Sequence, residues 1–164
     1  MATWTNDDGL EVRFGLDRTT ENVTGVTAVT PFKHIKHKIV GADLPDTDNA
    51  AVAADAAFIP AGSVITRAFV YVTDEFAGAS ATMDIGLKVA AGTAISADGI
   101  DADIAVTALD ALGDTILCNG AYIADGDLTG VRLTAAAYIS VSYETAAFTA
   151  GEAILVVEYL DLEA

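Results

Sequence analysis

The sequence predicts an all-β protein, an antiparallel β-sandwich with the jelly roll among the arrangements that fit, preceded by an extended N-terminal arm. Three observations predict it. Apolar residues recur with period two rather than 3.6, Gly, Asp and Pro turn signals separate the apolar runs, and no segment carries a broad helical stripe. At 164 residues the chain suits one domain of ordinary size, long enough to bury a core without disulfides or metal. The division expected is residues 1–16 as arm and first strand, and residues 17–164 as a single β-sandwich domain.

Taken in order, strands are expected at 11–16, 23–30 and 32–40, each rich in β-branched or aromatic residues. Residues 46–57 carry helix-favouring alanines behind Asp48 and Asn49 but lack an apolar stripe, which fits a short helix or a loop. Ile59-Pro60-Ala61-Gly62-Ser63 is a turn that launches a long strand over 64–73. One face of that strand is Val64, Thr66, Ala68, Val70 and Val72; the other is Ile65, Arg67, Phe69, Tyr71 and Thr73. Both are too apolar for free solvent, so either a second layer of the same domain or another subunit covers Ile65, Phe69 and Tyr71, the first being favoured, with a subunit contact near its end.

The clearest alternation is Met83, Ile85, Leu87 and Val89 against Thr82, Asp84, Gly86 and Lys88, a strand with one face on the core and one on solvent. Residues 100–112 mix helical and strand spacings and read as a long connection containing a helical turn. Residues 131–134 and 139–144 alternate again and are expected to pair as a hairpin across Ala135-Ala136. The last run, 153–160, follows Gly151 and is apolar on both faces up to Glu158, as in a central strand.

Charge is distributed unevenly. Residues 1–40 hold five acids and five bases, whereas residues 41–164 hold nineteen acids and three bases, so the net charge of −16 belongs to the C-terminal three quarters. Such a chain is a poor nucleic-acid ligand, because phosphate binding draws on clustered Lys and Arg. The 52% hydrophobic fraction includes 32 alanines, and no stretch reaches the run of about 18 to 20 apolar residues that crosses a bilayer. No membrane partner is expected. The opening residues lack the basic start and apolar core of a secretion signal, so the expectation is a chain made and used without Sec export.

The common catalytic and cofactor signatures are absent: no GxSxG, Walker loop, GxGxxG, HExxH or paired CxxC occurs. No catalytic residue, metal ligand or cofactor is therefore assigned. Cys118 is the single cysteine and lies in the apolar run Thr115-Ile116-Leu117-Cys118, as a buried inert thiol would. His34 and His37 are three residues apart on an expected strand, which puts their rings on opposite faces and argues against a shared metal. Acidic clusters at 46–49, 98–103 and 125–127 lack EF-hand spacing, and Asp-Gly pairs are turn signals first.

Lys33, Lys36 and Lys38 are three of eight bases, packed into one strand, where they either steer a partner or guard a solvated edge. Trp4, the single tryptophan, precedes the first strand as an anchor or a partner contact.

Residues 1–15 (MATWTNDDGLEVRFG), 58–65 (FIPAGSVI) and 147–159 (AFTAGEAILVVEY) resemble small structural proteins of tailed bacteriophages, in particular head decoration, or cement, proteins. The resemblance implies a β-sandwich that assembles on the exterior of the expanded capsid as homotrimers, binds the major capsid protein and bridges capsomers without chemistry. It also implies a chain made in the host cytoplasm and ending in the virion. Carried onto these residues, Trp4, Arg13 and Phe14 of the arm would contact the shell, Lys33, Lys36 and Lys38 would steer it, and Ile65, Phe69 and Tyr71 would meet another subunit. The rival reading is a tail- or fibre-associated receptor- or carbohydrate-binding sandwich. It would need a cluster of aromatic side chains in a turn, and the chain has Trp4 and scattered tyrosines.

Overall fold

The computed structural model describes residues 32–46, 58–118 and 128–162 in full, and residues 2–5 and 11–14 as backbone strands. Residues 1–30 form one compact unit and residues 31–164 another. In the first unit β1 (Ala2–Thr5) and β2 (Glu11–Phe14) pair as an antiparallel hairpin, with Trp4 opposite Val12 and Phe14 opposite Ala2. The strand expected at 23–30, the segment 47–57 and the acidic pair Asp125 and Asp127 lie outside the described residues.

The second unit is the sandwich. Its strands are β3 (Phe32–Val40), β4 (Phe58–Ile59), β5 (Val64–Ala77), β6 (Thr82–Lys88), β7 (Ala94–Ala105), β8 (Thr115–Cys118), β9 (Ala137–Tyr143) and β10 (Ala150–Leu160). They form two antiparallel four-stranded sheets, ordered β3-β10-β5-β8 and β4-β9-β6-β7. The first strand pairs with the last, β4 with β9, β5 with β8, and β6 with β7. The chain is thus one long antiparallel ribbon wound so that successive pairs fall in alternate sheets, which is the jelly roll. Winding leaves β10 between β3 and β5, the central place its two apolar faces require.

Between the sheets lies one core. Ile39, Val70, Val72, Leu155 and Val157 come from the first sheet, and Met83, Ile85, Leu87, Ile139 and Val141 from the second. Phe76 and Phe148 close one end in an edge-on contact, with ring centroids 5.3 Å apart.

Four expectations change. The stretch 100–112 opens as strand, since β7 runs to Ala105, and the expected helical turn follows as a 3-10 turn at Val106–Ala108. The β6–β7 register shifts at three places, and the shift between Ile104 and Asp101 hides the alternation there. Residues 131–133 do not form a hairpin with β9. They lie beside the start of β5 instead, with Val64 bridging Arg132 and the backbone N–H groups of Gly62 and Leu133 bonded to Leu133 and Ser63 carbonyls at 2.8 Å.

The third change concerns β5. Opposite β10, Arg67 pairs with Glu158 but Ile65 pairs with Tyr159, so Thr66 is an extra residue in a bulge. The bulge reverses the alternation: Ile65 joins Ala68, Val70 and Val72 in the core, while Phe69 and Tyr71 point outward. Among the described residues no second layer covers Phe69 and Tyr71 as it does Ile65; Phe69 is half-buried and Tyr71 is 42% exposed. The fourth concerns β6, whose polar face is not on solvent, since Asp84 and Lys88 are each 4% exposed.

Candidate functional site

The sandwich presents two outer sheet faces. On the β3-β10-β5-β8 sheet, register places Lys38, Ile154, Tyr71 and Thr115 in one row across the four strands, and Lys36, Val156, Phe69 and Leu117 in the next. Directly opposed residues share a face. Below these rows come His34, Glu158 and Arg67, then Phe32, Leu160 and Val64. Leu117 is 65% exposed, and Phe69, Ile154 and Val156 are half-buried. An apolar block therefore sits on the outside of the sheet, with a basic strand along one edge.

Both acids nearest the block are matched. Arg67 grips Glu158 through Nε and Nη2, each 2.8 Å from a carboxylate oxygen, and Lys38 meets Glu152 at 2.8 Å. The Arg67 hydrogen bonds, helped by the nearby His34, hold the Glu158 carboxyl below its ordinary range. Lys36 has no ion-pair partner among the described residues. Lys33 takes a different place: it lies opposite Tyr159 on the core-facing side of β3, where it binds the buried Asp161. His34 and His37 fall on opposite faces, as their spacing predicts; His37 is opposite Leu155 and His34 opposite Glu158.

The second sheet's outer face carries Asp84 opposite Ser142, Gly86 opposite Ser140, and Lys88 opposite Tyr138. It is covered by the chain itself. Between the pairs Ile85–Asp101 and Leu87–Ser96, β7 spends five residues where β6 spends two, and the surplus folds over the sheet. A Cβ on Gly86 would stand 2.1 Å from the Ser96 carbonyl oxygen and 2.3 Å from the Ala97 backbone, so only glycine admits this cover. Burial pushes the Lys88 amine down.

At one end of this face three carboxylates converge. Oxygens of Asp84, Asp103 and Glu144 lie within 4.8 Å of one another. Asp103 reaches the group through a second bulge of β7, with φ of 54°, and its N–H donates to Asp84 Oδ1 at 2.9 Å. Glu144 is brought in by the turn after β9, which is tied to β6 where the Glu144 N–H donates to the Thr82 carbonyl. Repulsion from Asp84, then Asp103, raises the Glu144 carboxyl. These are the side chains with the geometry for a hard cation among the described residues. Sequence reading noted Asp103 within an acidic run but had no signal joining it to Asp84 and Glu144, which only register brings together.

Where the sheets meet at the β7–β8 edge, Cys118 hydrogen-bonds Asp101. Burial, reinforced by that carboxylate, pushes the thiol up to about 12, and burial likewise raises Asp101. Such a thiol is no nucleophile near neutral pH. A cleft of about 240 Å³ opens between β3 and β9, lined by His37, Ile39, Leu44, Ile139 and Val141 among others. Its polar lining is His37, Lys38, Asp43 and Ser140.

No protein-family model matches the chain, and no curated protein matches it. Two solved structures do. A chain of the Cyanophage Pam1 capsid asymmetric unit is 17% identical, with a TM-score of 0.52 over 89% of this chain and 96% of that one. A chain of the capsid of Ralstonia phage GP4 is also 17% identical, with a TM-score of 0.48 over 87% and 93%. The Pam1 likeness is one of fold, and it runs nearly the full length of two chains of similar size.

The side chains of Trp4, Arg13 and Phe14 lie outside the described residues. Of the other six residues singled out from sequence, Lys36, Lys38, Phe69 and Tyr71 share one outer face, whereas Lys33 and Ile65 point to the interior side of the sheet. Sequence analysis missed Ile154, Val156 and Leu117 as members of that face. Their signal was the two-sided apolar character of 153–160 and Leu117's place in the apolar run 115–118.

Proposed function

We propose that this protein is a non-enzymatic virion structural protein that binds the outer surface of a phage capsid and stabilises the expanded head by bridging capsomers. The observation that carries this reading is the full-length jelly-roll likeness to a chain of a cyanophage capsid asymmetric unit, joined to the resemblance of the opening, turn and closing segments to head decoration proteins. The chemistry supports it: the thiol is raised to about 12 and the two imidazoles face opposite ways. In this reading copies associate as homotrimers, residues 1–16 form an arm that meets the shell through Trp4, Arg13 and Phe14, and the basic strand steers docking. The acidic remainder of a chain with net charge −16 faces solvent and keeps particles apart. Many weakly held copies on a symmetric shell stabilise it by mass action and multivalency.

The test is co-sedimentation with expanded phage heads stripped of their decoration, comparing the full chain with one lacking residues 1–16. Saturable binding that raises the melting temperature of the heads and is lost on truncation supports the reading. Absence of binding by the full chain refutes it.

A further inference from the structure

We infer that the outer face of the β3-β10-β5-β8 sheet is a single docking surface for the shell, seating an apolar protein surface bordered by a carboxylate. The inference rests on the proposed function and says which side of the molecule performs it. From sequence, Lys36 and Lys38 stood as shell contacts and Phe69 and Tyr71 as subunit contacts, two surfaces on strands far apart in the chain. Register makes them one. Lys38 and Tyr71 flank Ile154, and Lys36 and Phe69 flank Val156, with Leu117 extending the second row.

Charge decides what such a surface receives. The chain carries 24 acids and 8 bases, so a partner with acidic groups is repelled from most of it. This face is the exception. Glu152 and Glu158 are already held by Lys38 and Arg67, whereas Lys36, exposed beside Val156, has no ion-pair partner among the described residues and is open to an incoming carboxylate. A second copy of the same face would bring another Lys36, the uncharged β8 edge of Thr115 and Leu117, and Glu152 and Glu158 already engaged by its own Lys38 and Arg67. An apolar surface bordered by a carboxylate satisfies both the block and the lysine.

Size fits a repeated, individually weak contact. Four strands at a spacing of about 4.8 Å and about nine residues of β3 at 3.4 Å each give a face near 14 by 30 Å, or about 400 Å². That is about half of what one partner contributes to a standard stable interface. Retention would then come from many copies acting together.

The test uses the full chain, co-sedimented with expanded phage heads stripped of decoration, and compares wild type with Lys36→Glu, Leu117→Asp and the opposite-face variant Glu144→Gln. All three positions are exposed, and melting curves confirm that each variant folds. Lys36→Glu and Leu117→Asp are expected to weaken binding about tenfold or more, while Glu144→Gln binds like wild type. If wild type binds and both face variants bind equally well, this face is not the contact although the capsid reading stands. If wild type itself fails to bind, the proposed function falls and this inference with it. Should sedimentation velocity show that the face variants lose self-association instead, the occupant is a second copy and the assignment to the shell is overturned.

Discussion

The two outer sheet faces of this sandwich begin from the same two-residue alternation and end in opposite states. On β5 and β10 the outward residues are Phe69, Tyr71, Ile154 and Val156, and they remain at the surface. On β6 and β9 the outward residues are Asp84, Gly86, Lys88, Ser140 and Ser142, and they are buried. Polarity alone would assign them the other way round. What decides burial is whether a neighbouring strand has residues to spare: β7 carries a surplus that folds across Gly86, and β3 and β8 carry none. A covered polar face must satisfy its hydrogen-bonding groups within the protein, as the Asp103 N–H does for Asp84. An open apolar face keeps its gain of about 25 cal/mol per Å² for whatever covers it.

The largest expected effect comes from adjacent residues on β10. Leu155 is fully buried in the core, and Leu155→Ala should cost about 3 kcal/mol. Val156 faces outward, and Val156→Ala should cost less than about 1 kcal/mol. Urea denaturation measures both. Equal losses would mean that the outer face is covered after all, and the contrast would fail.

Next is the cover itself. Gly86→Ala forces a methyl group against the Ser96 and Ala97 backbone, and such overpacking costs about 2 kcal/mol. Amide hydrogen exchange at residues 96–99 should accelerate in the same variant. An unchanged melting temperature with unchanged exchange would show that the cover adapts freely.

A smaller effect separates the faces by the sign of their pH dependence. Glu144 is raised in the folded protein by Asp84 and Asp103, so its favourable contribution is full below its unfolded pKa and is lost as pH rises through the folded value. Glu158 is lowered by Arg67, so its contribution is present above its unfolded pKa and is lost as pH falls through the folded value. Glu144→Gln should therefore stabilise the protein at pH 7, with the gain shrinking towards pH 4. Glu158→Gln should destabilise it at pH 7 and approach neutrality in acid. Thermal melts across that range check both, and matching slopes would erase the distinction.

The smallest signal is at the edge where the two sheets touch. With its thiol near 12, Cys118 is about one part in ten thousand thiolate at pH 8. It should resist a disulfide reagent in the native protein and react at once in urea. Rapid native labelling would mean that the β7–β8 edge opens readily.

Local chemistry in the sequence determined a good deal of this molecule. β3 occupies the expected residues Phe32–Val40, β10 is central because both its faces are apolar, His34 and His37 oppose each other, and Cys118 is buried. Each follows from side-chain alternation and β-branched content within a few residues. Tertiary structure alone decided the rest. The extra residue at Thr66 moves Ile65 into the core and turns Phe69 and Tyr71 out, and the surplus in β7 buries Asp84 and Lys88. Residues 131–133 pair with the start of β5 and not with their neighbours. The joining of Lys36 with Phe69, and of Asp84 with Glu144, depends on which strands lie side by side. The reason is that a strand's pattern says which residues share a face, while a bulge or a shift of one residue, set by the partner strand, says which way that face points.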